Sequence, residues 1–199
     1  MVVYVPMGNG CSPAGALREL GLRQFALPFD WISGDVNSVI RCIREDFAGF
    51  HRGVVLGRGR DENTVLIDQL GFKFHHDYPT IKEPTPVLEE TATYLAGRDE
   101  QRIVDNWREF YTAVHAKYQR RIERFRTVLR GSESVVICCR FGVRECQEIQ
   151  NALRDVYGKV FMFVTSTCEK SLNPTIRPYD TERNGVWNDT TVWKEALGI

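Results

Sequence analysis

The chain has 199 residues, 43% of them apolar and 26% charged, the composition of an ordinary globular protein and not of a disordered or coiled-coil chain. Its 26 Lys and Arg residues balance 26 Asp and Glu residues, so no net charge draws it to nucleic acid or to an anionic membrane. No run approaches the ~18 apolar residues of a membrane span, and the length suits one domain, taken here as residues 1–199, with a core of its own.

In chain order, residues 2–6 are short, β-branched and apolar, and they stop at Gly8-Asn9-Gly10, which reads as a buried strand followed by a turn. Ser12-Pro13 then opens a helix, with Ser as N-cap and Pro at the first helical position. Ala14, Ala16, Leu17 and Leu20 form its apolar side and Gly21 ends it. Pro28-Phe29-Asp30-Trp31 reads as a loop, and Asp35 or Asn37 caps a second helix whose inner face is Val39, Ile40, Ile43 and Phe47. Residues 51–63 are rich in Gly, Arg and acidic groups. Two short strands, 64–67 and 70–74, follow, the second running into His75-His76-Asp77, where strand alternation puts the two imidazoles on opposite faces. Residues 80–86 hold two prolines and read as an irregular connection. Ile103, Trp107, Phe110, Val114, Tyr118, Ile122, Phe125 and Leu129 then recur at helical spacing, predicting one long helix over about 99–130 that stops at Gly131. The cluster Lys117, Arg120, Arg121, Arg124 and Arg126 on it reads as a solvated face.

The clearest unit comes next. Strand 135–140, helix 143–157 facing inward through Cys146, Ile149, Leu153 and Val156, and strand 159–165 make a βαβ unit with parallel strands. From Ser171 onward the chain reads as loop, anchored by Trp187 and Trp193. The expected fold is a three-layer α/β with a mainly parallel sheet. The six cysteines (Cys11, Cys42, Cys138, Cys139, Cys146 and Cys168) contain no CxxC pair, which argues against a zinc knuckle or a thioredoxin motif. The opening MVVYVPMGNG has neither a cationic start nor a long apolar run, so reduced thiols and a cytosolic location are expected, with no cofactor and no metal.

Cys11 stands at the start of the first helix, where backbone N–H groups and the helix dipole both favour a thiolate, the nucleophilic form. Gly8, Asn9, Gly10 and Ser12 shape the turn around it, and the glycines leave room for a substrate to approach the backbone. The same strand–turn–helix geometry serves phosphate binding equally well, and a small residue filling a corner is the third reading. A neutral imidazole of His75 or His76 can take the Cys11 proton, and a carboxylate can orient that imidazole. Asp77 follows His76 directly and is badly placed for this, whereas the loop residue Asp30 can be brought in. Either Asp can instead serve a turn. Arg140 and residues 165–167 lie at the carboxyl ends of the parallel strands, where α/β sheets hold anionic ligands.

Taken together these residues resemble a known family. Met7-Gly8-Asn9-Gly10-Cys11-Ser12-Pro13-Ala14, followed by Leu17 and Leu20, resembles the Ser-Leu-Gly-x-x-Cys-x-Pro-Ala opening of the small proteins named putative papain-like cysteine peptidases. Pro28-Phe29-Asp30-Trp31, Phe74-His75-His76-Asp77-Tyr78 and Tyr118-Gln119-Arg120-Arg121-Ile122-Glu123-Arg124-Phe125 match further signatures in the same order, so that the likeness runs from about residue 3 to 141. It implies a Cys nucleophile and a His base, which fall on Cys11 and His76. Pro6 and Met7 replace the usual Ser and Leu, and a βαβ unit is foreign to a papain core, so the resemblance implies a shared site more than proteolysis. The expected activity is that of a cysteine hydrolase, peptidase-like or acyl-transferring, on a peptide or small-molecule substrate. Its rivals are a sugar- or nucleotide-phosphate-binding transferase and a non-catalytic binding domain.

Overall fold

The computed structural model describes residues 1–58, 63–88, 102–181 and 189–199. Two four-stranded sheets organise them. One is wholly parallel, with β1 (Val2–Pro6), β6 (Ser134–Cys139), β7 (Met162–Ser166) and β8 (Ile176–Tyr179) side by side in that order. The other is antiparallel and ordered β2 (Ile32–Ser33), β5 (Lys73–Phe74), β4 (Thr64–Ile67), β3 (Val55–Arg58).

Helices cover both faces of the parallel sheet because its strands alternate two apolar faces. Val3, Val5, Val135, Ile137, Cys139 and Phe163 enter the main core with residues of α2 (Val36–Arg44), α3 (Tyr111–Arg130) and α4 (Val143–Tyr157). Cys138 and Val164 point the other way, onto Ala16 and Leu17 of α1 (Ser12–Glu19) and Trp193 and Ala196 of α5 (Thr190–Leu197). The result is the three-layer arrangement expected, with Cys138 and Cys139 on opposite faces. The antiparallel sheet joins the same main core through Ile32, Leu66 and Phe74.

Phe29 ties the loop after α1 into this core. Its ring meets Phe47, Phe50, Phe72 and Phe125 at centroid distances of 5.7, 5.9, 5.7 and 5.5 Å. Burying an aromatic ring of this kind stabilises a fold by about 1.5–3 kcal/mol, so the Pro28–Trp31 motif is pinned and not a mobile loop.

Several expectations shift. The long helix begins at Tyr111 after a 3-10 turn over Trp107–Phe110, and residues 99–101 lie outside the described residues. The stretch 51–63 contains β3, and the tail expected as loop contains β8 and α5, the latter capped by Asp189 accepting from Thr191 N–H at 2.9 Å. β3 has no buried residue and β8 buries only Ile176, so neither shows an apolar alternation. Trp193 is a core residue, whereas Trp187 falls outside the described residues. Asp35 is the α2 cap, its Oδ1 accepting from Ser38 N–H at 2.7 Å. Among the described residues no helix is long and apolar enough to cross a membrane.

Candidate functional site around Cys11

Three consecutive residues after β1 take left-handed backbone angles, Gly8 at φ +52°, Asn9 at +48° and Gly10 at +109°. Such a run reverses the chain sharply, and only Gly and Asn enter it at low cost. Gly8 is also sterically required, since a Cβ there would lie 2.9 Å from both Phe141 Cζ and Val39 Cγ2. The turn is fastened on each side: Met7 N–H donates to Cys138 O at 2.9 Å, Asn9 Nδ2 to Arg140 O at 3.4 Å, and Gly10 N–H to Ile32 O at 3.2 Å.

Cys11 itself is the N-cap of α1, with Ser12 and Pro13 at the first two helical positions, one residue earlier than Ser12 was expected to cap. Its carbonyl accepts from Gly15 N–H at 2.9 Å, while its side chain does not cap the helix. The thiol packs instead against Ala14 and Trp31 and is 9% exposed. The guanidinium groups of Arg18 and Arg23 lie over Trp31 at 5.5 and 5.6 Å from the ring centre, a cationic clamp of the kind aromatic faces favour.

Asp30 belongs to this clamp. Its Oδ2 accepts from Arg23 Nε at 2.8 Å and Nη2 at 2.6 Å, and Oδ1 is buried without a hydrogen bond. Burial raises its pKa, against the pull of Arg23 and Arg121. The Asp–His contact anticipated from the sequence is therefore not formed, because Arg23 claims the carboxylate.

The His75-His76 pair follows the antiparallel sheet. Ile32, whose carbonyl receives the Gly10 N–H, pairs with Phe74, and His75 follows immediately. His75 Nε2 lies 2.9 Å from Ser33 Oγ. β5 ends at Phe74, so His75 and His76 stand in a bend and not on a strand. Their rings sit together, 5.9 Å apart and half-buried, instead of on opposite faces.

Asp77 is 3% exposed and receives the Lys117 ammonium on Oδ1 and Tyr118 OH on Oδ2 at 2.9 Å. Burial opposes its ionisation, yet Lys117 and Arg121 and the two hydrogen bonds hold its pKa below the ordinary range. Lys117 (0% exposed) and Arg121 (2%) are thus core residues, and the basic cluster is not wholly a solvated face. The signal was present in the spacing, since both stand on the buried stripe that carries Val114, Tyr118, Ile122 and Phe125.

A further group was missed. His51 and His115 have no acidic or thiol neighbour in sequence, yet their Nδ1 atoms lie 3.3 Å apart and Tyr78 OH is 2.8 Å from His51 Nε2. Burial lowers the His51 pKa to about 3, so it is neutral near pH 7.

At the strand tips, Arg140 is half-buried and its carbonyl holds Asn9, while Thr165 Oγ1 donates to Phe141 O. The start of α4 is filled by the protein's own carboxylates: Gly142 N–H donates to Glu145 Oε2 at 2.8 Å and Val143 N–H to Glu169 Oε2 at 2.6 Å. Among the described residues no three His, Cys, Asp or Glu side chains gather as a metal site would require.

Comparison with known proteins agrees with the signatures around the turn. An uncharacterized protein, R408, of Acanthamoeba polyphaga mimivirus is 29% identical over 96 residues, a match covering 39% of this chain and 43% of the viral protein's length. No solved structure is significantly similar. The family described as "Putative papain-like cysteine peptidase (DUF1796)" matches residues 2–166, a span holding Cys11, the His75-His76-Asp77 bend and the helix that anchors it, and the chain belongs to that family.

Proposed function

We propose that the protein is a cysteine hydrolase or acyl-transfer enzyme acting on a peptide or small acyl substrate, with Cys11 as nucleophile and His76 as general base. The observation that carries this reading is the ladder Gly10–Ile32–Phe74, which fastens the Cys11 turn to the strand that ends in His75-His76. In the proposed reaction the Cys11 sulfur attacks the acyl carbon and His76 accepts the thiol proton, then returns it to the leaving group. His75 is held by Ser33 and fixes the bend that presents His76. The first N–H groups of a helix have no intrahelical partner. Pro13 lacks one, so Ala14 N–H is the proposed donor for the oxyanion. Asp30 serves the reading differently from a triad carboxylate, by locking Arg23 against Trp31 beside the thiol. Six cysteines free of disulfides fit a reducing, cytosolic setting.

Glu169 and Glu145 cover the helix N-terminus of the βαβ unit, which leaves the phosphate-binding alternative to the Gly8–Gly10 turn. A panel of activated esters, thioesters and fluorogenic peptides tests the main reading. Turnover abolished by Cys11→Ser and lowered by about 10²–10⁴-fold by His76→Ala supports it. Turnover that survives Cys11→Ser defeats it.

A further inference from the structure

Away from Cys11, two other cysteines meet in the core. Cys139 ends β6 and Cys146 stands near the start of α4. Their sulfurs are 3.5 Å apart, and neither residue is exposed. The Cys146 thiol also reaches Phe141 O at 3.7 Å, the same carbonyl that accepts the Thr165 hydroxyl. Cys138 lies on the opposite face of the sheet, so only Cys139 can pair with Cys146.

Two of the three residues between the strand and the helix, Arg140 and Phe141, hold the Cys11 turn. Arg140 O accepts from Asn9 Nδ2, and the Phe141 ring lies against Gly8 with no space for a Cβ between them. A disulfide needs its sulfurs at ~2.05 Å, so closing the Cys139–Cys146 gap draws the first turns of α4 toward β6. Phe141 must then move against Gly8.

We infer that Cys139 and Cys146 are a redox modification site, oxidised to a disulfide by a peroxide, and that this closure alters the reactivity of Cys11. In the first step the Cys139 sulfur attacks one peroxide oxygen and the O–O bond breaks. One water leaves, and Cys139 becomes a sulfenic acid. The Cys146 sulfur then attacks the Cys139 sulfur, the S–S bond forms, the S–O bond breaks, and a second water leaves. Overall, two thiols and one hydrogen peroxide give one disulfide and two waters, the thiols losing two electrons to the peroxide. The roles follow from the surroundings. Burial pushes the Cys139 thiol up, but contacts from Cys146, the Phe141 backbone and Thr165 bring it below the ordinary range. The contact with Cys139 and burial both push Cys146 well up. Because both sulfurs are buried, the reaction waits on local opening of residues 140–142.

The test exposes the folded full-length chain to hydrogen peroxide, blocks remaining thiols with N-ethylmaleimide, and maps peptides by mass spectrometry without reductant. The expected result is a linked peptide pair containing Cys139 and Cys146, reversed by dithiothreitol. Iodoacetamide should then alkylate Cys11 at a rate changed by about tenfold or more in the oxidised wild type and unchanged in peroxide-treated Cys146→Ala. Oxidation confined to Cys11 or the exposed Cys168, or a 139–146 link that forms only in urea, overturns the site. A link that leaves Cys11 alkylation unchanged overturns the coupling. The wild-type peptide map decides the first point even if Cys146→Ala does not fold, and it does so whether or not Cys11 proves to be a nucleophile.

Discussion

Gly8 bears the strictest demand of any residue at the site, because left-handed backbone and two side chains at 2.9 Å from its missing Cβ coincide there. Gly8→Ala should cost about 2–5 kcal/mol, the sum of the left-handed penalty and overpacking. A shift of the urea midpoint with unchanged slope would show it, whereas a variant as stable as the wild type would mean the turn relaxes freely. At this scale the sequence was informative wherever a residue type has one structural use. Gly8, Asn9 and Gly10 announced a turn, and the cap read as Asp35 or Asn37 is Asp35. It was uninformative for Asp30, whose partner Arg23 is only seven residues away and lies over the Trp31 ring. A carboxylate carries no mark of which cation will reach it.

Among the elements, α3 does most to fix the His75–His76 bend, through Lys117 and Tyr118 on Asp77. Lys117→Met leaves that carboxylate buried without its cation and should destabilise the protein by about 3–5 kcal/mol. Tyr118→Phe removes a single charge-assisted hydrogen bond and should cost about 1.5–3 kcal/mol. Equilibrium unfolding of the two variants checks the order, and equal losses would contradict it. The apolar stripe that revealed α3 also contains Lys117 and Arg121, so their burial was legible from position although their charge pointed outward. What spacing could not reveal was the partner, since Asp77 lies 40 residues earlier. The meeting of His51 with His115, across 64 residues, was hidden for the same reason.

For the molecule as a whole, acid stability follows from His51. Its pKa is about 3 in the fold against an ordinary 6.5, so the unfolded chain binds the proton first as pH falls. The His51 contribution is complete above pH 6.5 and is lost progressively toward pH 3, up to about 5 kcal/mol. Asp77, also lowered, adds a loss of the same sign below its ordinary 3.8. Urea unfolding at a series of pH values should show stability falling through this range, with a shallower slope in His51→Gln, and parallel slopes would contradict the assignment. The three-layer parallel architecture was legible because the βαβ unit has a clear period and an apolar crossover helix. In the second sheet β4 and part of β5 were legible as the strands 64–67 and 70–74, whereas β2 is two residues long and pairs with β5 about 40 residues later. That short sheet nonetheless brings the Cys11 turn and the histidine bend onto one hydrogen-bonded ladder. The pH dependence of Cys11 alkylation, mapped by peptide mass spectrometry in wild type, His75→Ala and His76→Ala, tests this pairing most directly. The account predicts rapid alkylation that persists below neutral pH and is lost in His76→Ala, with a smaller loss in His75→Ala. Alkylation that tracks an ordinary thiol and ignores both histidines would contradict it.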